Sequence, residues 1–324
     1  MSIQLEPKHK KIVDSLLIRF PYAFFVFGSR SKNKATLKSD LDLCIKEEIS
    51  LEKYAHIKEA LQNLLLPFSI DLILWSTLTE SFKKQIEKEL IRYTIDPLLG
   101  ADICELSHTL STQTPVWPGG SFEIEKVLDY EHLFRVQKYS FAGGFGTHID
   151  VPAHKISGGI DLASLTLKAC MPTTCFIFYP EKKEIDEEFM LTRLMIENFE
   201  REYGEIVQDS WFLCMSGWGE KAFNRTEYCN VKSSGQMQFP SIAPDAAEYL
   251  VKKKIRGFGI DTLSPDCNDT HFSVHEQFLS AGIIILENIK YIKNLLPASG
   301  FLQVVPLPIV GGTESPVRVF FYSH

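Results

Sequence analysis

The sequence predicts a mixed α/β (α+β) chain built of two domains. A small α/β domain is expected over residues 1–98 and a larger, strand-rich one over 99–324. Length is the first observation, since 324 residues at ~150 per domain suggest about two. The second is a break at Asp96-Pro97-Leu98-Leu99-Gly100, where proline and glycine punctuate the pattern. The third is charge: residues 1–96 carry fifteen basic against thirteen acidic side chains, net +2, and the remainder nineteen against twenty-eight, net −9. Neither part is basic enough to read as a nucleic-acid binder. Hydrophobic residues at 45 % and charged residues at 23 % are ordinary for a globular chain and exclude a disordered, collagenous or membrane-embedded one.

The elements of the first domain follow in order. Ile12, Val13, Leu16, Leu17 and Phe20 recur at helical spacing. Residues 23–27 form a short apolar run that stops at Gly28, as a buried strand entering a turn does. Leu41-Asp42-Leu43-Cys44-Ile45 alternates and reads as a strand with one apolar face. Tyr54, Ile57, Leu61 and Leu64 mark a second helix, residues 69–75 a third strand, and Phe82, Ile86 and Leu90 a last helix. After the break the texture turns to strands, expected at 122–128, 134–141, 173–179, 210–215, 256–261, 282–287, 301–305 and 317–322. Helices are expected near 186–203 and 243–254, the second opened by Pro244 at a position that tolerates its missing N–H.

No apolar run approaches the ~20 residues of a spanning helix, so no membrane partner is expected. The N-terminus MSIQLEPKHKK has no apolar signal core. Seven cysteines without a CxxC pair suit free thiols in a reducing, cytoplasmic setting.

Chemistry concentrates in two places. In the first domain Gly28-Ser29 is followed ten residues later by Asp40-Leu41-Asp42, and Asp71 stands on a later strand. Residues two apart on a strand share a face, so Asp40 and Asp42 project together. Such carboxylates repel unless a cation lies between them, and Mg²⁺ is the natural one. Asp71 could complete a two-metal site for in-line attack on a nucleotide α-phosphate. Gly28 permits close backbone approach to phosphate, and the Ser29 hydroxyl can bond to it. By itself the acidic pair fits a solvated strand edge better than a metal site, and Lys32, Lys34 and Lys38 fit a solvated loop better than a phosphate-steering one. The ordered set Gly28-Ser29-Arg30, Ser39-Asp40-Leu41-Asp42-Leu43 and Ile70-Asp71-Leu72 resembles the minimal nucleotidyltransferases of the polymerase-β superfamily over residues 10–95. The resemblance implies Mg²⁺ at Asp40, Asp42 and Asp71, with ATP or another nucleoside triphosphate at Gly28 and Ser29. It also implies an acceptor, and some such domains act as antitoxins that modify a partner protein.

In the second domain Gly146-Thr147-His148-Ile149-Asp150-Val151-Pro152-Ala153-His154 gathers metal-site residue types in a tight segment. His275 stands downstream. Glu287 ends the apolar run Gly282–Leu286, where an unpaired charge is costly, so a salt bridge or a metal is expected there. These residues, with Trp117-Pro118-Gly119, Ser216-Gly217-Trp218, Gly259-Ile260-Asp261-Thr262-Leu263-Ser264-Pro265-Asp266 and Ser315-Pro316-Val317-Arg318, resemble the cyclase family of metal-dependent hydrolases over about 101–324. That family includes bacterial kynurenine formamidases and isatin hydrolases. The resemblance implies a swivelling β/β/α fold, usually dimeric or larger, with His148, Asp150, His275 and Glu287 as ligands of Zn²⁺ or Mn²⁺. It implies His154 as general acid/base and Trp117 as an aromatic lining the pocket of a small aromatic amide, formamide or cyclic amide. The ion would lower the pKa of a water toward ~7 to make a nucleophile for the carbonyl. One departure is plain: the family often carries a further histidine four residues before His148, where this chain has Gly144. A single metal, a water-filled position and a damaged site all stay open. The alternative to a fused hydrolase is an active nucleotidyltransferase, or an antitoxin-type partner-binding protein, whose second domain is a non-catalytic binding or oligomerisation module.

Overall fold

The computed structural model describes residues 3–20, 22–32, 34–95, 101–180, 186–293, 295 and 299–323. The break expected at 96–100 lies outside the described residues. Two compact units emerge, one up to Asp102 and the other over Ile103–Tyr322.

The small unit runs α1 (Pro7–Leu17), β1 (Phe24–Phe27), β2 (Leu41–Ile45), α2 (Leu51–Gln62), β3 (Ile70–Leu74), α3 (Glu80–Ile86) and β4 (Ile91–Arg92). Its sheet has the order β3-β2-β1-β4, with β1–β2 antiparallel and β2–β3 parallel. Alternation decides its faces. Leu41, Leu43 and Ile45 join Val13, Leu17, Ile57 and Leu72 in one core, which turns Asp42 to the other side. Ser50 and Thr79 cap α2 and α3 by accepting from Lys53 and Phe82 N–H.

In the larger unit the strands are β5 (Asp102–Glu105), β6 (Phe122–Leu128), β7 (Val136–Phe141), β8 (His148–Asp150), β9 (Thr173–Phe178), β10 (Met190–Leu191), β11 (Trp211–Cys214), β12 (Ser241–Ile242), β13 (Gly257–Ile260), β14 (Ile284–Glu287), β15 (Ser299–Pro306) and β16 (Glu314–Ser323). The helices are α4 (Arg193–Tyr203), α5 (Arg225–Cys229), α6 (Pro244–Lys253) and α7 (Ser273–Ser280). Seven strands in the order β15-β9-β11-β13-β14-β8-β16 close on themselves through β15–β16, and β5 pairs outside the ring on β16. The result is a closed seven-stranded barrel.

Strands β9, β11 and β14 divide their residues between two cores. Ile149, Cys175, Ile177, Trp211, Leu213, Ile284, Leu286, Val317 and Val319 fill the interior. Phe176, Phe212, Phe258 and Ile285 face outward, where α4, α6 and α7 cover them with Ile196, Ala246, Leu250, Val274 and Phe278. Gly257 is needed inside because any side chain there would overlap the Trp211 indole.

One expectation changes. The helix expected over 186–203 starts only at Arg193; Met190–Leu191 pairs in parallel with Ser241–Ile242, and Thr192 caps the helix by accepting from Met195 N–H. The elements expected from the sequence do not include β4, β5, β8, β10, β12, α5 or α7. The seven cysteines are all free; Cys44, Cys175, Cys214 and Cys229 are buried. No described helix is long and apolar enough to cross a membrane.

Candidate metal centre

The site forms where β8 lies between β14 and β16. In the antiparallel β8–β14 pair, Glu287 stands opposite His148 and Ile285 opposite Asp150. Residues directly opposite share a face, so His148, Asp150 and Glu287 project together on the outer wall while Ile149 and Leu286 point inward. Thr147 locks this register: its hydroxyl donates to the Asn288 carbonyl at 2.6 Å and accepts from His108 N–H at 2.9 Å. Helix α7, packed against Ile285 through Val274 and Phe278, brings His275 over the same spot.

All four side chains are buried, and His148 Nε2 lies 3.2 Å from Glu287 Oε2 and 3.8 Å from Asp150 Oδ1. His275 Nε2 lies 3.3 Å from Glu287 Oε1 and 3.5 Å from Asp150 Oδ2. Each imidazole is held from behind. The His148 Nδ1 contacts the Gly146 carbonyl at 2.8 Å, and the His275 Nδ1 contacts Asp266 Oδ2 at 2.7 Å. Nδ1–H donation in both pairs turns both Nε2 atoms to the carboxylates, which is how ligand histidines are oriented.

The electrostatics demand positive charge. Burial pushes the His148 pKa down, but the hydrogen bond to Glu287 and the charges of Asp150 and Glu287 outweigh it and carry it up to about 9. Burial also works against the His275 cation, yet Asp150, Asp266 and Glu287 bring its pKa to about 12. Asp150 is likewise opposed by burial and still held below its ordinary value, by His275 first and then by His148 and His154. Asp150 Oδ1 and Glu287 Oε1 are buried without a hydrogen-bond partner. Orphaned anionic oxygens facing two imidazole Nε2 atoms fit a divalent cation, which would take the place of the protons.

His154 sits on a short turn after Pro152 and is exposed. One ligand atom each of Asp150, His154 and His275 lie within 4.8 Å of one another, and so do those of His148, Asp150 and Glu314. The cluster opens into a cavity of about 510 Å³, bordered also by Trp117 and Phe272. Trp117 is 42 % exposed, and its ring lies 6.4 Å from that of Phe272.

The family model "Cyclase" matches residues 104–267, half of the chain. The chain belongs to the cyclase family. Its cyclase domain is 29 % identical over 210 residues to the isatin hydrolase of Roseibium aggregatum, covering 60 % of this chain and 79 % of that protein. The kynurenine formamidase of Bacillus mycoides is 26 % identical over 218 residues, covering 66 % and 94 %. The structure of isatin hydrolase A from Labrenzia aggregata bound to benzyl benzoate superposes with a TM-score of 0.63 at 26 % identity, covering 69 % of this chain and 94 % of that one. The family model "Polymerase beta, Nucleotidyltransferase" matches residues 11–93.

In that nucleotidyltransferase domain Asp42 pairs with Asp71 across β2–β3, and Asp40 precedes β2 and accepts from the Ser69 hydroxyl at 2.5 Å. Burial, then Asp71, then Asp40, raise the Asp42 pKa. Gly28 turns with φ 76° directly over Asp42, and a Cβ there would overlap the Asp42 carboxylate. Ser29 follows in the same turn, and Arg30 donates from Nε to the Ser39 carbonyl at 3.1 Å and the Asp40 carbonyl at 3.2 Å. Arg30 thus ties the Gly28-Ser29 turn to the segment that presents Asp40.

Asp266 and Glu314 carry no role in the sequence analysis. Asp266 lies nine residues from His275 with no short spacing to betray it. Glu314 precedes the strand expected at 317–322, although its parity with Arg318, opposite to Val317 and Val319, marks it as an outward residue.

Proposed function

We propose that the cyclase domain hydrolyses a C–N bond of a small aromatic amide, formamide or cyclic amide, and that the small domain is a Mg²⁺-dependent nucleotidyltransferase. The observation that carries the first part is the pair of orphaned buried oxygens on Asp150 and Glu287 facing two pre-oriented histidines. His148, Asp150, His275 and Glu287 would hold Zn²⁺ or Mn²⁺. When bound, such an ion polarises a carbonyl and lowers the pKa of water.

The chain's own groups do the rest. Trp117 and Phe272 offer flat apolar faces at the cavity mouth and orient an aromatic substrate. Exposed His154, with Nδ1 3.5 Å from Glu314 Oε2, takes a proton from the attacking water and returns it to the leaving nitrogen. The likeness to an isatin hydrolase and to kynurenine formamidases supports this substrate class. Metal analysis of the purified protein, with hydrolysis assays on isatin and N-formylkynurenine, tests the reading. A protein that takes up neither Zn²⁺ nor Mn²⁺ refutes it.

For the small domain, Asp40, Asp42 and Asp71 would hold Mg²⁺, and Gly28 and Ser29 would hold the triphosphate of ATP or another nucleotide. The support is the Gly28 turn fitted against Asp42 and the match of the family model. Asp40→Asn with Asp42→Asn should abolish Mg²⁺-dependent ATP binding measured by calorimetry.

A further inference from the structure

The place where a histidine is missing is filled from another strand. A Cβ at Gly144 would stand 3.1 Å from Glu314 Oε2 and 3.3 Å from His148 Nε2, and one at Gly143 would overlap the Glu314 side chain. Glu314 therefore lies in the space that a longer side chain at 144 would enter. Register puts it there: in the antiparallel β8–β16 pair Glu314 stands opposite Asp150, on the ligand face of the wall. One ligand atom each of His148, Asp150 and Glu314 lie within 4.8 Å of one another. Independently of Glu314, Asp150 Oδ1 is buried and has no hydrogen-bond partner.

We infer that Glu314 is a metal ligand, completing with His148 and Asp150 a position for a divalent ion that Gly143 and Gly144 leave room for. The inference rests on the hydrolase reading above, because it presumes that the cluster binds metal. At this position the donors are one imidazole nitrogen and two carboxylates, where a histidine at 144 would have given two imidazoles and one carboxylate. Exchanging an imidazole for a carboxylate hardens the site and moves its preference from Zn²⁺ toward Mn²⁺. It also removes the reason to read Gly144 as a lesion.

The test is Mn²⁺ and Zn²⁺ titration by calorimetry, with Mn²⁺ electron paramagnetic resonance, on the full chain and on Glu314→Gln, Glu314→Ala and the double variant Gly144→His/Glu314→Ala. Circular dichroism checks that each is folded. Loss of an outer-shell partner typically costs 10–100-fold in metal affinity, so the loss of Glu314 should cost at least ~10-fold for Mn²⁺ in both single variants. The double variant should recover binding with its preference moved toward Zn²⁺. Glu314→Gln and Glu314→Ala that bind Mn²⁺ with unchanged affinity and stoichiometry overturn the inference while leaving the hydrolase reading in place. A wild-type chain that binds neither ion overturns both.

Discussion

Replacing Asp266 with asparagine should weaken metal binding without touching a ligand. Asp266 Oδ1 accepts from Val274 N–H at 2.9 Å, and Oδ2 accepts from His275 N–H at 3.1 Å while holding Nδ1 at 2.7 Å. The two N–H groups belong to the first turn of α7, where helical donors have no partner of their own, and Phe272 before it supplies no side-chain cap. Asparagine keeps one oxygen. If its amide replaces Oδ1, Val274 N–H loses its acceptor; if it replaces Oδ2, both His275 bonds go. At least one buried, charge-assisted bond is lost, worth ~1.5–3 kcal/mol of stability. The imidazole is held less firmly in the tautomer that presents Nε2, which should cost ~10–100-fold in metal affinity, or ~1.4–2.7 kcal/mol. Denaturant unfolding of the metal-free protein reads the first quantity, and titration against a buffered chelator reads the second. Unchanged metal affinity together with lowered stability would reduce Asp266 to a helix cap. If neither changes, the hydrogen-bond account of α7 is wrong.

His154→Ala should leave metal bound and lower turnover on a confirmed substrate by ~10²–10⁴-fold, whereas His148→Ala should lose metal and activity together; metal content and kcat separate the two. Gly28→Ala forces a side chain into φ 76° and against Asp42, which should cost ~1–2 kcal/mol from the backbone alone and abolish nucleotide binding, both read on the full chain. Burial first, and Lys290 second, hold the His108 pKa down at about 4 against an ordinary 6.5. The unfolded chain therefore binds the extra proton between those values, and stability should fall as pH drops from about 6.5 to about 4, by at most ~3 kcal/mol. His108→Leu should flatten that slope in unfolding curves taken across the window.

The parts that the sequence displays are those governed by short periods. Asp42 is turned from the core of the small domain because Leu41 and Leu43 are claimed by it, and two-residue alternation shows that directly. Glu287 is conspicuous as a charge closing an apolar run. The start of α4 is visible in hindsight, since Thr192 is a capping residue three before Met195. Strand β8 is a different matter. Its three residues hold one inward side chain, Ile149, too few to show alternation, and its existence depends on pairing with β14 and β16, far along the chain. Asp266 and Glu314 are hidden for the same reason. One acts through a loop packed behind His275 and the other through a register between strands that the chain brings together only on closing the barrel.

The barrel interior is filled with side chains, and the cluster of His148, Asp150 and Glu287 lies on its outer wall. Along β8 and β14 the duties therefore alternate: Ile149 and Leu286 hold the wall together, and their neighbours His148, Asp150 and Glu287 face the cavity. The residues at the cavity mouth, Trp117 and Phe272, belong to neither core cluster. Such a division separates the residues that line the cavity from those that hold the fold together. Exchanging the two mouth residues can reshape what the cavity admits at little cost to the barrel, while a one-residue deletion within 148–150 would invert the wall and destroy site and scaffold in a single step.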